Sequence, residues 1–225
     1  MSTIKNIMII SILLLSACSG SKEMQKATPS LKAYLGGTHG GIIENTELSL
    51  IEASEPDAYS GATRVGIQGG GHYEYPLKAI SLESGLDIFI NGQTFTYQDD
   101  FAGFQGTRDL LVSQLRIPLE VNLRLLREKQ EDGMIQLKLG LSPGFCFYSV
   151  EDQGGPLPDY EKDMFTIGPL LGAEITPLKF ENGTSLGASV EVFRSFQKVY
   201  SDYYQLGETP GLSYLKFGLV YRFNK

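Results

Sequence analysis

The chain holds two histidines, so imidazole chemistry has only two places to be. His39 lies in Gly37-Thr38-His39-Gly40, and His72 follows the glycine run Gly69-Gly70-Gly71. Acyl transfer by a hydroxyl needs that hydroxyl within hydrogen-bond reach of a base. Ser60 and Ser113 are the hydroxyls that could serve His39, but no sequence spacing ties either of them to it. A structural role for both histidines is therefore the expectation. Gly66-Ile67-Gln68-Gly69-Gly70-Gly71 lacks the GxGxxG spacing of a dinucleotide loop, and no helical pattern follows it. Acids from Glu44 to Glu208 gather in the stretches 41–61, 92–109, 150–163 and 198–211 without EF-hand spacing. Solvation is their expected role, with weak divalent-cation binding the alternative. No motif calls for a cofactor, and no enzyme activity is expected.

Cysteine is equally sparse. Lys5, the apolar run Ile7 to Leu15 and the small residues Ser16 and Ala17 read as a secretory signal over residues 1–17, too short to anchor a helix. Leu15-Ser16-Ala17-Cys18 resembles the lipobox of bacterial lipoproteins, which implies lipidation of Cys18. Residues 18–30 then form a polar periplasmic tether, and 31–225 the folded domain. Cys146 is the other thiol, so no disulfide framework is expected. A net charge of −7 argues against nucleic acid as a partner.

The rest of the chain is strand texture. Eight segments alternate apolar and polar residues: 31–40, 62–75, 79–91, 110–126, 134–149, 164–177, 184–197 and 212–224. A short helical stretch is expected at Leu48 to Ala53. Connections alternate between short and long. Pro76-Leu77-Lys78, Asp132-Gly133 and Asn182-Gly183 mark the short ones, and Asp-Gly and Asn-Gly supply the positive φ of tight hairpins. The sequon Asn182-Gly183-Thr184 reads as such a turn.

Alternation assigns the faces. One face carries Ile67, Ile88, Leu119, Leu139, Leu171, Val190, Leu219 and their i±2 neighbours. The other carries Arg64, Glu74, Glu83, Asp87, Arg116, Glu120, Arg124, Lys138, Glu174, Glu191, Lys216 and Arg222, together with Gln68 and His72. Six bases face six acids, a set suited to pairing in a narrow interior rather than to conduction. Apolar outside and ionised inside describes an all-β fold, an eight-stranded antiparallel up-and-down transmembrane β-barrel with its short turns on the periplasmic side. Strand glycines relieve crowding in so tight a ring. Pro118, Pro143 and Pro169 require local breaks or bulges.

Arg116-Ile117-Pro118-Leu119-Glu120-Val121, the run Gly66 to Pro76 and the ending Gly218-Leu219-Val220-Tyr221-Arg222-Phe223 resemble the porin-like barrels common in Bacteroidetes. That family includes PorT-like proteins and is similar in architecture to the small OmpX and OmpA barrels. The resemblance implies insertion by the barrel-assembly machinery, outer-membrane lipid and lipopolysaccharide as surroundings, and a structural, surface-loop or accessory role, including service in a secretion or uptake complex. Two alternatives follow from the same residues. One is a lipid A-modifying barrel enzyme using His39. The other is a soluble calycin-like periplasmic lipoprotein with the two faces exchanged.

Overall fold

The computed structural model describes residues 29–43, 57–59, 63–77, 80–99, 104–126, 135–154, 161–199 and 211–224. The expected signal at 1–17, Cys18, the part of the expected tether up to residue 28, the stretch Leu48 to Ala53, Ser60 and the expected Asp132-Gly133 turn lie outside them. The described residues are strand and turn without helix. They form β1 (Ser30–Ile43), β2 (Asp57–Tyr59), β3 (Val65–Leu77), β4 (Ile80–Asp99), β5 (Phe104–Arg116) and β6 (Leu119–Leu126). After these come β7 (Ile135–Leu141), β8 (Gly144–Gln153), β9 (Phe165–Thr166), β10 (Pro169–Lys179), β11 (Ser185–Arg194) and β12 (Gly211–Asn224).

Every pairing is antiparallel, and the pairings form a ring. β1 lies between β12 and β3, and β3 pairs β4. β4 meets β5 along one part and β6 along another. β5 pairs β8 and β6 pairs β7, after which come β9 and β10, β11 and again β12. Registered partners can be followed around it: Ser30, Glu74, Glu83, Glu120, Gly140, Leu170, Phe193, Tyr214 and back to β1 at Gly40. The circuit returns ten residues beyond its start. Over eight strand positions, with the usual rise and spacing, that stagger tilts the strands by about 40° and sets a wall radius of about 8 Å.

Three of the eight strand positions are broken, each beside a proline. Ile117-Pro118 separates β5 from β6, Ser142-Pro143 separates β7 from β8, and Pro169 opens β10 just after β9. The breaks fall on adjacent strands and form one seam. Across it Ile117 N donates to Pro143 O (2.9 Å) and Ser142 N to Gly168 O (2.9 Å). Proline removes a ladder donor, so aligning the breaks confines the lost hydrogen bonds to a single line.

Strands extend into three of the expected long connections. β4 and β5 extend through most of 92–109, β1 runs to Ile43, and β8 runs to Gln153. Between β10 and β11 the Asn182-Gly183 hairpin has Gly183 at φ 81°, with Phe180 N donating to Thr184 O (2.9 Å).

The faces separate sharply. Leu119, Ile88 and Leu219 are 53%, 54% and 57% exposed, whereas Arg116, Glu120 and Lys216 are 1%, 3% and 5% exposed. The interior has two layers. Ions fill the half beside the short turns, near Lys32 and Arg222. The opposite half holds an apolar plug of Ile42, Phe89, Phe95, Leu110, Val112, Phe193, Leu212 and Tyr214. The expectation of a lumen filled by charge alone is corrected here. Buried polar side chains, Asn91, Gln93 and Arg108, share that half on β4 and β5.

Candidate functional site

Strand alternation delivers the site, because every ion in it occupies an inward position. Lys32 on β1, fully buried, stands centrally, with Nζ 2.6 Å from Glu83 Oε2, 2.9 Å from Glu174 Oε2 and 3.1 Å from Glu74 Oε2. Lys138 Nζ lies 2.8 Å from Glu191 Oε1, 3.0 Å from Glu120 Oε2 and 3.2 Å from Glu83 Oε1. Lys216 joins Asp87 (2.7 Å) to Glu191 (2.8 Å), and Arg222 joins Glu174 (2.9 Å) to Glu74 (3.1 Å). Arg124, at the edge, reaches Glu74 at 3.2 Å.

His72 bridges two acids, with Nδ1 2.7 Å from Glu83 Oε1 and Nε2 2.9 Å from Asp87 Oδ1. Ionised carboxylates only accept, so with both in place both ring nitrogens donate and the ring is an imidazolium. Lys32, His72, Arg124, Lys138, Lys216 and Arg222 then balance Glu74, Glu83, Asp87, Glu120, Glu174 and Glu191. Such a lattice is a tolerable content for a low-dielectric interior because each buried charge has an opposite neighbour.

Glycines make the room. Gly85 faces His72, Gly70 faces Asp87, and Gly140 faces Glu120 across the ladder. A Cβ on Gly70 would collide with Asp87 Oδ1, and one on Gly85 would collide with the His72 ring.

Glu83 and Glu120 differ in how well they are served. Glu83 accepts from Lys32, Tyr34, Asn122 and Lys138 and also meets His72. The three protons of Lys138 go to Tyr34, Glu83 and Glu191. Neither oxygen of Glu120 accepts a hydrogen bond, although Lys138 is close. His72, Glu83 and Glu120 offer ligand atoms within 4.8 Å of one another, as a metal triad would. The Lys138 ammonium already stands beside both carboxylates of that group.

Arg116 belongs to the proline seam instead of the ion lattice. Its guanidinium donates to Ser142 Oγ (3.1 Å), Gln114 Oε1 (2.9 Å), Thr166 Oγ1 (3.0 Å) and the Ser142 carbonyl. Its face lies 3.7 Å from the Phe193 ring centroid, under the apolar plug.

Two sequence expectations change, the places of Arg116 and of Arg64 in the ionic set. Arg64 is exposed and not luminal. It precedes the first residue of β3, its stem lies over Gly92 on the outer face, and its head reaches Thr94 Oγ1 (2.6 Å) and Asp109 Oδ1 (2.7 Å). Lys32 takes its place in the balance. Its signal was available in Leu31-Lys32-Ala33-Tyr34-Leu35, where Lys32 and Tyr34 share the face opposite the two leucines.

Outside the lattice, two rim carboxylates are held below their ordinary range. A hydrogen bond from the Thr94 hydroxyl does this for Asp109, helped by Arg64. For Asp152 it is the paired hydrogen bonds from Arg108 Nε (2.7 Å) and Nη2 (2.6 Å). His39 is exposed near the same rim, 3.3 Å from Thr63 Oγ1, and Ser113 lies on β5, two strands beyond β3. No family model matches the chain, and no curated protein matches it.

Proposed function

We propose that the ring is an eight-stranded outer-membrane β-barrel, tethered by a lipid on Cys18. It is not an enzyme, and it serves as a structural or surface-loop protein or as an accessory to a secretion or uptake assembly. The observation that carries this reading is the inverted polarity. Every strand position of the ring presents large apolar side chains outward, from Leu31 and Leu35 on β1 to Leu215, Phe217 and Leu219 on β12. A continuous apolar belt of that extent is not borne by a water-soluble monomer. Outward charges stand at its margins: Arg64, Asp109, Glu151 and Arg194 toward the loops, Lys179 and Glu181 toward the turns. Aromatic side chains border it, with Tyr73, Tyr75, Phe180 and Phe223 at the turn side and Phe165 and Phe196 at the loop side.

The interior favours a closed body over a pore. Ions paired at 2.6–3.2 Å lie beneath a packed apolar layer. In this reading the short turns and both ends of the ring-forming chain face the periplasm. Insertion requires the barrel-assembly machinery, and lipopolysaccharide surrounds the outer half. The calycin-like alternative puts the apolar face inside and is disfavoured by the same exposure pattern. The lipid A-modifying alternative gains a hydroxyl neighbour for His39 in Thr63, with no described carboxylate paired to that histidine.

Heat-modifiable gel mobility together with detergent-dependent solubility tests the proposal. The unheated protein is expected to migrate faster than the boiled one and to remain in the membrane fraction. A freely soluble protein with unchanged mobility would overturn it. Unaltered lipid A masses in a deletion strain, and in one carrying His39→Ala, are expected for a non-enzymatic role.

A further inference from the structure

The belt is interrupted on β3. On β3 the outward series reads Val65, Ile67, Gly69, Gly71, Tyr73, so two successive outward positions carry no side chain. Their registered neighbours are Leu35 and Ile88 beside Gly69, and Ala33 and Leu86 beside Gly71. The result is a furrow of about 640 Å3, floored by glycine and walled by Leu35, Ile67, Leu86 and Ile88. Crowding does not require these glycines. A Cβ on Gly69 would come no nearer than 3.7 Å to Tyr34 O, and one on Gly71 no nearer than 3.9 Å to Lys32 O. Gly37, another outward glycine, contrasts with them, because the Phe217 ring covers it and a Cβ there would stand 2.7 Å from Phe217 Cζ. No described side chain covers Gly69 and Gly71 in this way.

We propose that this furrow seats one acyl chain of the lipid carried by Cys18. The inference rests on the membrane-spanning, lipid-tethered reading above and gives the lipid a specific place in it. The end of the furrow nearer the short turns is at Gly71 and Leu86, and Gly71 is registered with Ala33, three residues inside β1. Cys18 precedes Ser30 by twelve residues, a reach of at most about 43 Å. A chain descending from the periplasmic surface of the bilayer therefore enters the furrow from the side on which Cys18 is tethered. The walls are apolar, and the floor is backbone within the β1–β3–β4 ladders, so the occupant must be apolar along its whole length and one side chain deep. A polymethylene chain meets both conditions. Within hydrocarbon the gain is packing: an acyl chain there is contacted on three sides instead of one.

The test uses the full chain, expressed with its leader in cells fed a diazirine-bearing fatty acid and irradiated in the membrane fraction. Mass spectrometry is expected to find Cys18 acylated and cross-linked within the same chain to the peptides around Gly69 and Ile88. Gly71→Leu fills the furrow without a backbone clash, and it is expected to reduce that cross-link to the level seen at Leu139 on β7. An unmodified Cys18 would overturn the proposal, as would cross-links from Cys18 spread evenly around the belt or a furrow labelled by bulk phospholipid alone. Heat-modifiable mobility of Cys18→Ala, measured alongside, reports on the membrane reading separately. If it persists while the cross-link is missing, only the seat is wrong. If it is lost in the wild type as well, the membrane reading fails.

Discussion

Glu83 and Glu120 are both buried glutamates on neighbouring inward positions, yet their surroundings make opposite demands. Removing one charge from Glu83 leaves Lys32, Lys138 and His72 short of a partner. Breaking a buried pair in that way costs about 3–5 kcal/mol. Glu83→Gln is therefore expected to lower the unfolding free energy by that order. Glu120→Gln, where no hydrogen bond is lost, is expected to cost less than half as much. Denaturant titration in detergent micelles compares the two, and equal losses would contradict the donor count around Lys138. At the rim, Asp152 is held low by Arg108, and the sign of its linkage follows. A depressed folded value stabilises above the unfolded carboxylate value of about 3.9 and is lost as pH falls through the folded one. Melting curves of the wild type and Asp152→Asn are expected to differ at neutral pH and to converge in acid. His72 and most of the ionic set were legible in the sequence because alternation gives each a face. Arg64 was not, since alternation holds only within a strand and Arg64 lies just ahead of one.

The seam of breaks beside Pro118, Pro143 and Pro169 shows how a closed ring accommodates residues that cannot donate. Their incompatibility with an unbroken ladder was visible in the sequence. Their alignment was not, because it depends on the register between β6, β7 and β10. Arg116 crosses this seam with a fork of donors that a lysine cannot reproduce. Arg116→Lys is expected to lower the melting temperature by about 4–8 °C, the equivalent of about 2 kcal/mol in a chain of this size. A variant that melts with the wild type would remove Arg116 from the role given to it. The apolar plug follows the same logic in reverse. Leu110-Leu111-Val112 is apolar on both faces, a pattern that marks where the apolar plug begins on β5, and Phe89 and Tyr214 continue the plug on β4 and β12.

For the whole molecule, the proposed membrane placement turns on the direction of its polarity: large apolar side chains outside, paired ions and an apolar plug inside. An arginine at Leu139, in the middle of the outward face of β7, is expected to cost about 2–4 kcal/mol in a bilayer, the penalty for a cation at the midplane. The same change on a water-facing surface would cost almost nothing, so its size separates the two environments. The chain contains no tryptophan, which permits a cleaner and more direct measurement. Single reporters Ile88→Trp, Leu139→Trp and Leu219→Trp can be read in phosphatidylcholine vesicles whose acyl chains carry bromine. Strong quenching of all three by the brominated chains, with none by aqueous iodide, is the predicted result. Quenching by iodide alone, from protein that stays in solution without detergent, would contradict it.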